Sequence, residues 1–206
     1  MSKGINIYEE ARHAFGKIDE SVRLQNFSGS GKPPCIFLSH QSSDKAAVKA
    51  IGEYITNADI NIYMDIDDPG LQAAVATDNH EAITRFIERG IAASTDLMTC
   101  VSKQTFNSCW VPYEIGFGKS AGNYLSALRL NDIPKLPSYL NIQAVDQLNG
   151  VEDLNAYLKK VKKREHDTHN FSGTLGYLRK LTEAAEMGKP LPSFSTYHSL
   201  RNYLDK

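Results

Sequence analysis

Cysteine is scarce in this chain, and its scarcity is informative. The three present, Cys35, Cys100 and Cys109, form no CxxC pair and leave one over after any pairing. That argues against a disulfide framework and for a reducing, cytoplasmic setting. Net charge is nearly absent too, at −1, so nothing global draws the protein to nucleic acid or to an anionic membrane. No apolar run approaches the length of a membrane span, and the opening MSKGINIYEEARHAFGK lacks the apolar core of a secretory signal. Phosphate-cradling glycine loops are missing as well. GSGKPP resembles a Walker loop only until Asn26 and Pro33, which stand where that loop needs Gly and Ser or Thr. No GxGxxG follows the first apolar run. DIDDPG at 65–70 has too few ligands for a calcium hand. His166 and His169 share a helix face but have no third ligand near them and read as exposed, so no metal and no resident cofactor is expected.

What is present is a soluble globular composition, 41% hydrophobic and 23% charged over 206 residues, enough for one ordinary domain with additional helix. Tyr8, Ala11, Phe15, Ile18 and Val22 alternate at spacings of three and four, which predicts an N-terminal helix over 5–24. NFSGSGKPP behind it is a linker. From Cys35 onward the pattern alternates. CIFLS, INIYMD, DLMTCVS, YLSALRL and NIQAV read as buried strands. Between and after them lie helical stripes: Ala47, Ile51, Tyr54 and Ile55; Ile83, Phe86, Ile87 and Ile91; then Leu154, Tyr157, Leu158 and Val161. The stretch from Asp68 to 80 reads as a long loop, and KKVKKRE at 159–165 as a solvated face. The order predicts an α/β fold: a flavodoxin-like, doubly wound, parallel five-stranded sheet with additional N- and C-terminal helices. The expected divisions are 1–33, helix and linker; 34–165, the sheet domain; and 166–206, a C-terminal helical extension. In the last of these, LGYLRKLTEAAEMGKP predicts a helix ended by Gly188.

Ligands of open parallel sheets bind outside the carboxyl ends of the strands. That rule gathers SHQSSD, DIDDPG and NSCW, and so places Ser39, His40, Gln41, Asp65 and Glu114 around one crevice. Glu114 is the unusual residue, a carboxylate among Trp110, Val111, Tyr113, Ile115 and Phe117. Pro112 suggests a helix starting there, with Glu114 in its first turn. Gly118, one turn on, leaves room beside the carboxylate. Glu114 is then either a capping carboxylate or a functional one, and the residues alone leave both open. Cys109 reads as a small half-buried residue beside Trp110 rather than a nucleophile.

CIFLSHQSSDK, INIYMDIDD and CWVPYEIGFG together resemble the first strand and loop, the second strand and loop, and the Trp-x-x-x-Glu helix of Toll/interleukin-1 receptor (TIR) domains, over residues 34–120. The resemblance is to the bacterial type that cleaves NAD+. It implies that Glu114 is catalytic. It also implies that Ser39, His40, Gln41, Ser42, Asp65, Gly70 and Trp110 bind substrate, although Gln41 and Ser42 stand where members often carry a basic residue. The implied activity is NAD+ glycohydrolase or ADP-ribosyl cyclase, with NAD+ as substrate and a linear or cyclic ADP-ribose product. The implied context is a homo-oligomer signalling to a separate effector in antiphage defence of the Thoeris kind. Two other readings stay open. One is a non-catalytic TIR scaffold acting by homotypic contact, and the other is an enzyme like the nucleoside deoxyribosyltransferases, which share the sheet and also use a single Glu at a ribose carbon.

Overall fold

The computed structural model describes Gly4 and residues 33–64, 68–131, 133, 135–142, 144–169 and 199–204. The N-terminal helix and most of its linker, Asp65, and the helix expected from 175 lie outside the described residues.

The chain enters the sheet with β1, Cys35–Ser39, whose five residues are all buried. A short 3-10 turn at Ser42–Asp44 leads into α1, Lys45–Asn57. Then come β2, Asn61–Tyr63; α2, Pro69–Ala76; α3, His80–Ala93; and β3, Asp96–Val101. A second 3-10 turn at Gln104–Asn107 precedes α4, Trp110–Ser120. The rest is β4, Tyr124–Arg129; the short α5, Ser138–Ile142; β5, Asp146–Asn149; and α6, Gly150–His169. All pairings are parallel, in the order β2-β1-β3-β4-β5. This is the flavodoxin-like doubly wound arrangement. Connections leave β1 and β3 in opposite directions, so the crevice between those two strands is the switch point.

Alternation along the strands divides the core into two layers. Ile36, Leu38, Met98, Cys100 and Leu128 pack with α1 and α6. Cys35, Phe37, Leu97, Val101 and Ala127 pack with α2, α3 and α4. Strands buried on both faces are mostly apolar, and for that reason β1 and β3 were readable as nearly continuous runs.

Two expectations fail in instructive places. The segment after Asp68 is not a loop but α2. The Asp68 side chain accepts from the backbone N–H groups of Gly70 and Leu71 at 2.7 and 3.0 Å, and Pro69 opens the helix. The fifth strand is also displaced. NIQAV is not a strand; its first two residues end α5, Ala144 takes a positive φ of 54°, and β5 begins at Asp146. As an edge strand β5 buries only Leu148, so it carries no apolar run to recognise.

At the amino end of the sheet, fully buried Asp96 gathers a polar staple. Tyr157 donates to its Oδ1 at 2.6 Å and Thr95 to its Oδ2 at 2.7 Å. Arg164 forms an ion pair with Oδ1 while its guanidinium lies 3.8 Å from the centroid of the Tyr124 ring. The basic run 159–165 is therefore not wholly a solvated face, since Arg164 turns inward. Burial first, and then the Asp96 charge, holds the Tyr157 hydroxyl well above the ordinary tyrosine range.

Residues 199–204 return to the same core. Leu200 and Leu204 are buried in the layer under α1 and α6, and the Asn131 N–H donates to the Tyr203 carbonyl at 2.9 Å. Leu204→Ala is expected to cost about 2–4 kcal/mol of stability by urea denaturation, the usual range for truncating a buried leucine. Asp96→Ala is expected to lower stability by about 3 kcal/mol, because it strands Arg164 and the Tyr157 hydroxyl; a loss under about 1 kcal/mol in the same urea assay would show that the staple adds little.

Candidate active site

β1 delivers Ser39 to the carboxyl end of the sheet, on the face shared with Phe37. The chain beyond β3 then forms a tight platform for α4. Ser102 N–H donates to the Thr105 hydroxyl at 2.9 Å, and Tyr139 donates to the Thr105 carbonyl at 3.3 Å. The Ser108 hydroxyl accepts from the Val111 N–H at 3.2 Å, satisfying one of the open donors at the start of the helix. Pro112 is the third residue of α4, not the first. It is tolerated because a first-turn residue needs no N–H partner. Glu114 is consequently the fifth residue, and no acidic residue stands in the first turn. The capping explanation for Glu114 fails.

The carboxylate is engaged elsewhere. Glu114 is 5% exposed and Ser39 1%, and the Ser39 hydroxyl donates to Glu114 Oε2 in a short hydrogen bond. A buried carboxylate is costly without such a donor. Gly118 does not provide room beside it. A Cβ there would stand 3.0 Å from Leu97 and 3.3 Å from Leu125, so the glycine lets α4 lie close on β3 and β4. That close approach lowers Glu114 onto the end of β1.

The other residues expected at the site divide. His40 follows Ser39 directly and is half-buried; its Nδ1 lies 3.0 Å from the Leu38 carbonyl. A carbonyl only accepts, so that nitrogen carries the proton and, in the neutral ring, Nε2 does not. Gln41 is half-buried, and its carbonyl accepts from Asp44 N–H at 2.8 Å. Ser42 is exposed on the turn that follows. Trp110 lies one turn before Glu114, half-buried and edge-on to Tyr113 with ring centroids 6.1 Å apart. Tyr113 donates to Glu88 at the surface, which raises its own pKa chiefly through that bond. Gly70 belongs to the start of α2, where a Cβ would meet the Phe86 ring at 2.5 Å. Its surroundings are Phe86 and Asp68.

Two residues escaped the sequence reading. Asp68 fixes the start of α2, and the Asp-Pro pair was the available signal. Thr99, the register partner of Ser39, is a lone polar residue inside an apolar strand. Among the described residues no group of three or more His, Cys, Asp or Glu is placed to hold a metal ion. Nor is any described helix long and apolar enough to cross a membrane.

A parallel α/β domain with a buried serine–glutamate pair at its switch point is suited to binding a small polar ligand. A family model described as TIR domain matches residues 36–161, and the chain belongs to the TIR domain family. No curated protein matches the chain.

The cysteines report on this geometry. Cys109 is exposed, not half-buried, whereas Cys35 and Cys100 are buried. Burial, followed by the Asp44 carboxylate, pushes the Cys100 thiol from 9.0 up to about 12. Its contribution to stability is therefore intact below pH 9 and is lost as pH rises toward 12. Alkylation of the folded protein at pH 8 is expected to label Cys109 alone, with Cys35 and Cys100 reacting only in denaturant. Rapid native labelling of Cys100 by peptide mapping would contradict the packing.

Proposed function

We propose that the protein cleaves the bond between nicotinamide and ribose in NAD+, with Glu114 as the catalytic residue. The observation that carries this reading is the buried Glu114 carboxylate, tied to the end of β1 by Ser39 at the switch point and placed beyond the first turn of α4. Nicotinamide in NAD+ is a cationic leaving group. When its bond to C1′ breaks, the electron pair goes to the ring nitrogen and neutral nicotinamide departs, so no proton donor is needed. Glycosidases ordinarily use two carboxylates because their leaving oxygen must be protonated. Here one suffices, opposing the positive charge that develops on C1′ and holding the ribose hydroxyls.

Water adding at C1′ and losing a proton gives linear ADP-ribose. An internal nucleophile held over the same carbon gives a cyclic isomer. Trp110 supplies an aromatic surface one helical turn from the carboxylate, suited to stacking on a planar ring of the substrate. Ser39, His40, Gln41 and Ser42, with Asp65 and Gly70 from the following segment, are the residues we assign to substrate. The family supports NAD+ cleavage or signalling in general, and homotypic assembly is common in it. By fold-level analogy we place the activity in the cytoplasm of a bacterium, as the signal-producing component of an antiphage system with a separate effector.

Glu114→Gln is expected to lower nicotinamide release from NAD+ by about 10²–10³-fold, the range for losing a key electrostatic group, while the variant melts as wild type does. Chromatography of reactions at high protein concentration checks this and separates linear from cyclic product. Undiminished turnover in the folded variant would end the assignment. A wild type that spares NAD+ at every concentration yet self-associates would favour a non-catalytic scaffold.

A further inference from the structure

Thr99 is the polar residue of the inner layer that the reading above leaves unused. It lies on β3 between Leu97 and Val101, and alternation points it toward the layer beneath α3 and α4. Its register partners are Ser39 on β1 and Ala127 on β4. Neighbours in a parallel ladder are about 4.8 Å apart and project to the same face. The Thr99 side chain therefore lies beside that of Ser39, whose hydroxyl holds Glu114, with only the Ala127 methyl group on its other flank.

Thr99 is 0% exposed, and among the described residues its Oγ1 has no hydrogen-bond partner. A buried hydroxyl left unpaired lowers stability, and valine would fill the same volume without that loss. The arrangement makes sense if the hydroxyl finds its partner in another state of the site. Ser39 has a single proton to give, and in the ligand-free protein Glu114 receives it. Should the carboxylate turn to meet ribose hydroxyls, a further donor beside Ser39 would help to hold it through the movement.

We propose that Thr99 is a positioning residue for Glu114, its hydroxyl becoming a further donor to the carboxylate, beside Ser39, when ligand is bound. This rests on Glu114 acting at the ribose of NAD+. Thr99 then touches no substrate; it sets where the acid stands when charge develops at C1′.

The test compares Thr99→Val with Thr99→Ser. The valine variant loses the hydroxyl but keeps the shape and is expected to fold at least as stably as wild type. Its kcat for nicotinamide release is expected to fall about tenfold, a one-hydrogen-bond effect, with KM within about twofold of wild type. Thr99→Ser should restore most of the loss. An unchanged kcat in Thr99→Val overturns the proposal, as does a serine variant no better than valine, which would assign the effect to packing. A second readout does not depend on turnover. In protein saturated with ADP-ribose, the 13C carboxyl signal of Glu114 should move in Thr99→Val and stay at the wild-type position in Thr99→Ser. Identical signals in all three proteins overturn the positioning role. If wild type leaves NAD+ intact, the assigned reaction fails, and this signal alone decides the relation between Thr99 and Glu114.

Discussion

One proton, donated by Ser39 to Glu114, ties the end of the first strand to the fourth helix, and the rest of the site follows from that tie. A glutamate this deeply buried would ordinarily weaken the fold. The serine offsets part of that cost, and the close seating of α4 on β3 and β4 brings the two groups within reach. The seating depends on Gly118, whose missing side chain admits Leu97 and Leu125. Local rules of helix design favour other residues at both positions. Conflict between local preference and global arrangement is a recognisable mark of a functional site.

The two core layers divide the labour. The layer under α1 and α6 is mostly apolar over the sheet, with Ser126 buried in it, and is closed at its amino end by the Asp96 staple and by Leu200 and Leu204. The layer under α2, α3 and α4 contains Ser39, Thr99 and Glu114 as polar intrusions at the carboxyl end of an otherwise apolar sandwich. Buried polar groups thus cluster at opposite ends of the sheet on its two faces. Helix α2, opened by Asp68, buries Leu71 and Ala74 in the second layer.

Much of the fold could be read from the chain because strands buried on both sides are mostly apolar. β1 and β3 are close to such runs, β4 is one only over its buried centre, and α3 and α6 show clear stripes. β5 escaped because an edge strand with one inward residue has no such pattern. Val145, the last residue of NIQAV, is buried just before β5 instead. α2 escaped because eight residues with Val75 on the surface make too short a stripe, although Asp68 and Pro69 announced its start. That Glu114 is an unusual, buried carboxylate was legible from its apolar surroundings. Its place beyond the first turn was not, because Pro112 suits the first turn at several positions and sequence cannot fix which. Gly118 was misjudged for a related reason: a glycine in a helix signals a missing side chain, and only packing shows whether ligand or sheet occupies the space.

The contact between Asn131 and Tyr203 joins segments far apart along the chain, and its closure entropy must be met before Leu200 and Leu204 are buried. Such a clasp closes late, after the parallel strands have found one another. Interactions formed after the transition state govern how fast a protein comes apart and have little influence on how fast it assembles. The working lifetime of this molecule is thus adjustable at Tyr203 and its leucine neighbours, at a distance from the serine and glutamate that we assign to its chemistry.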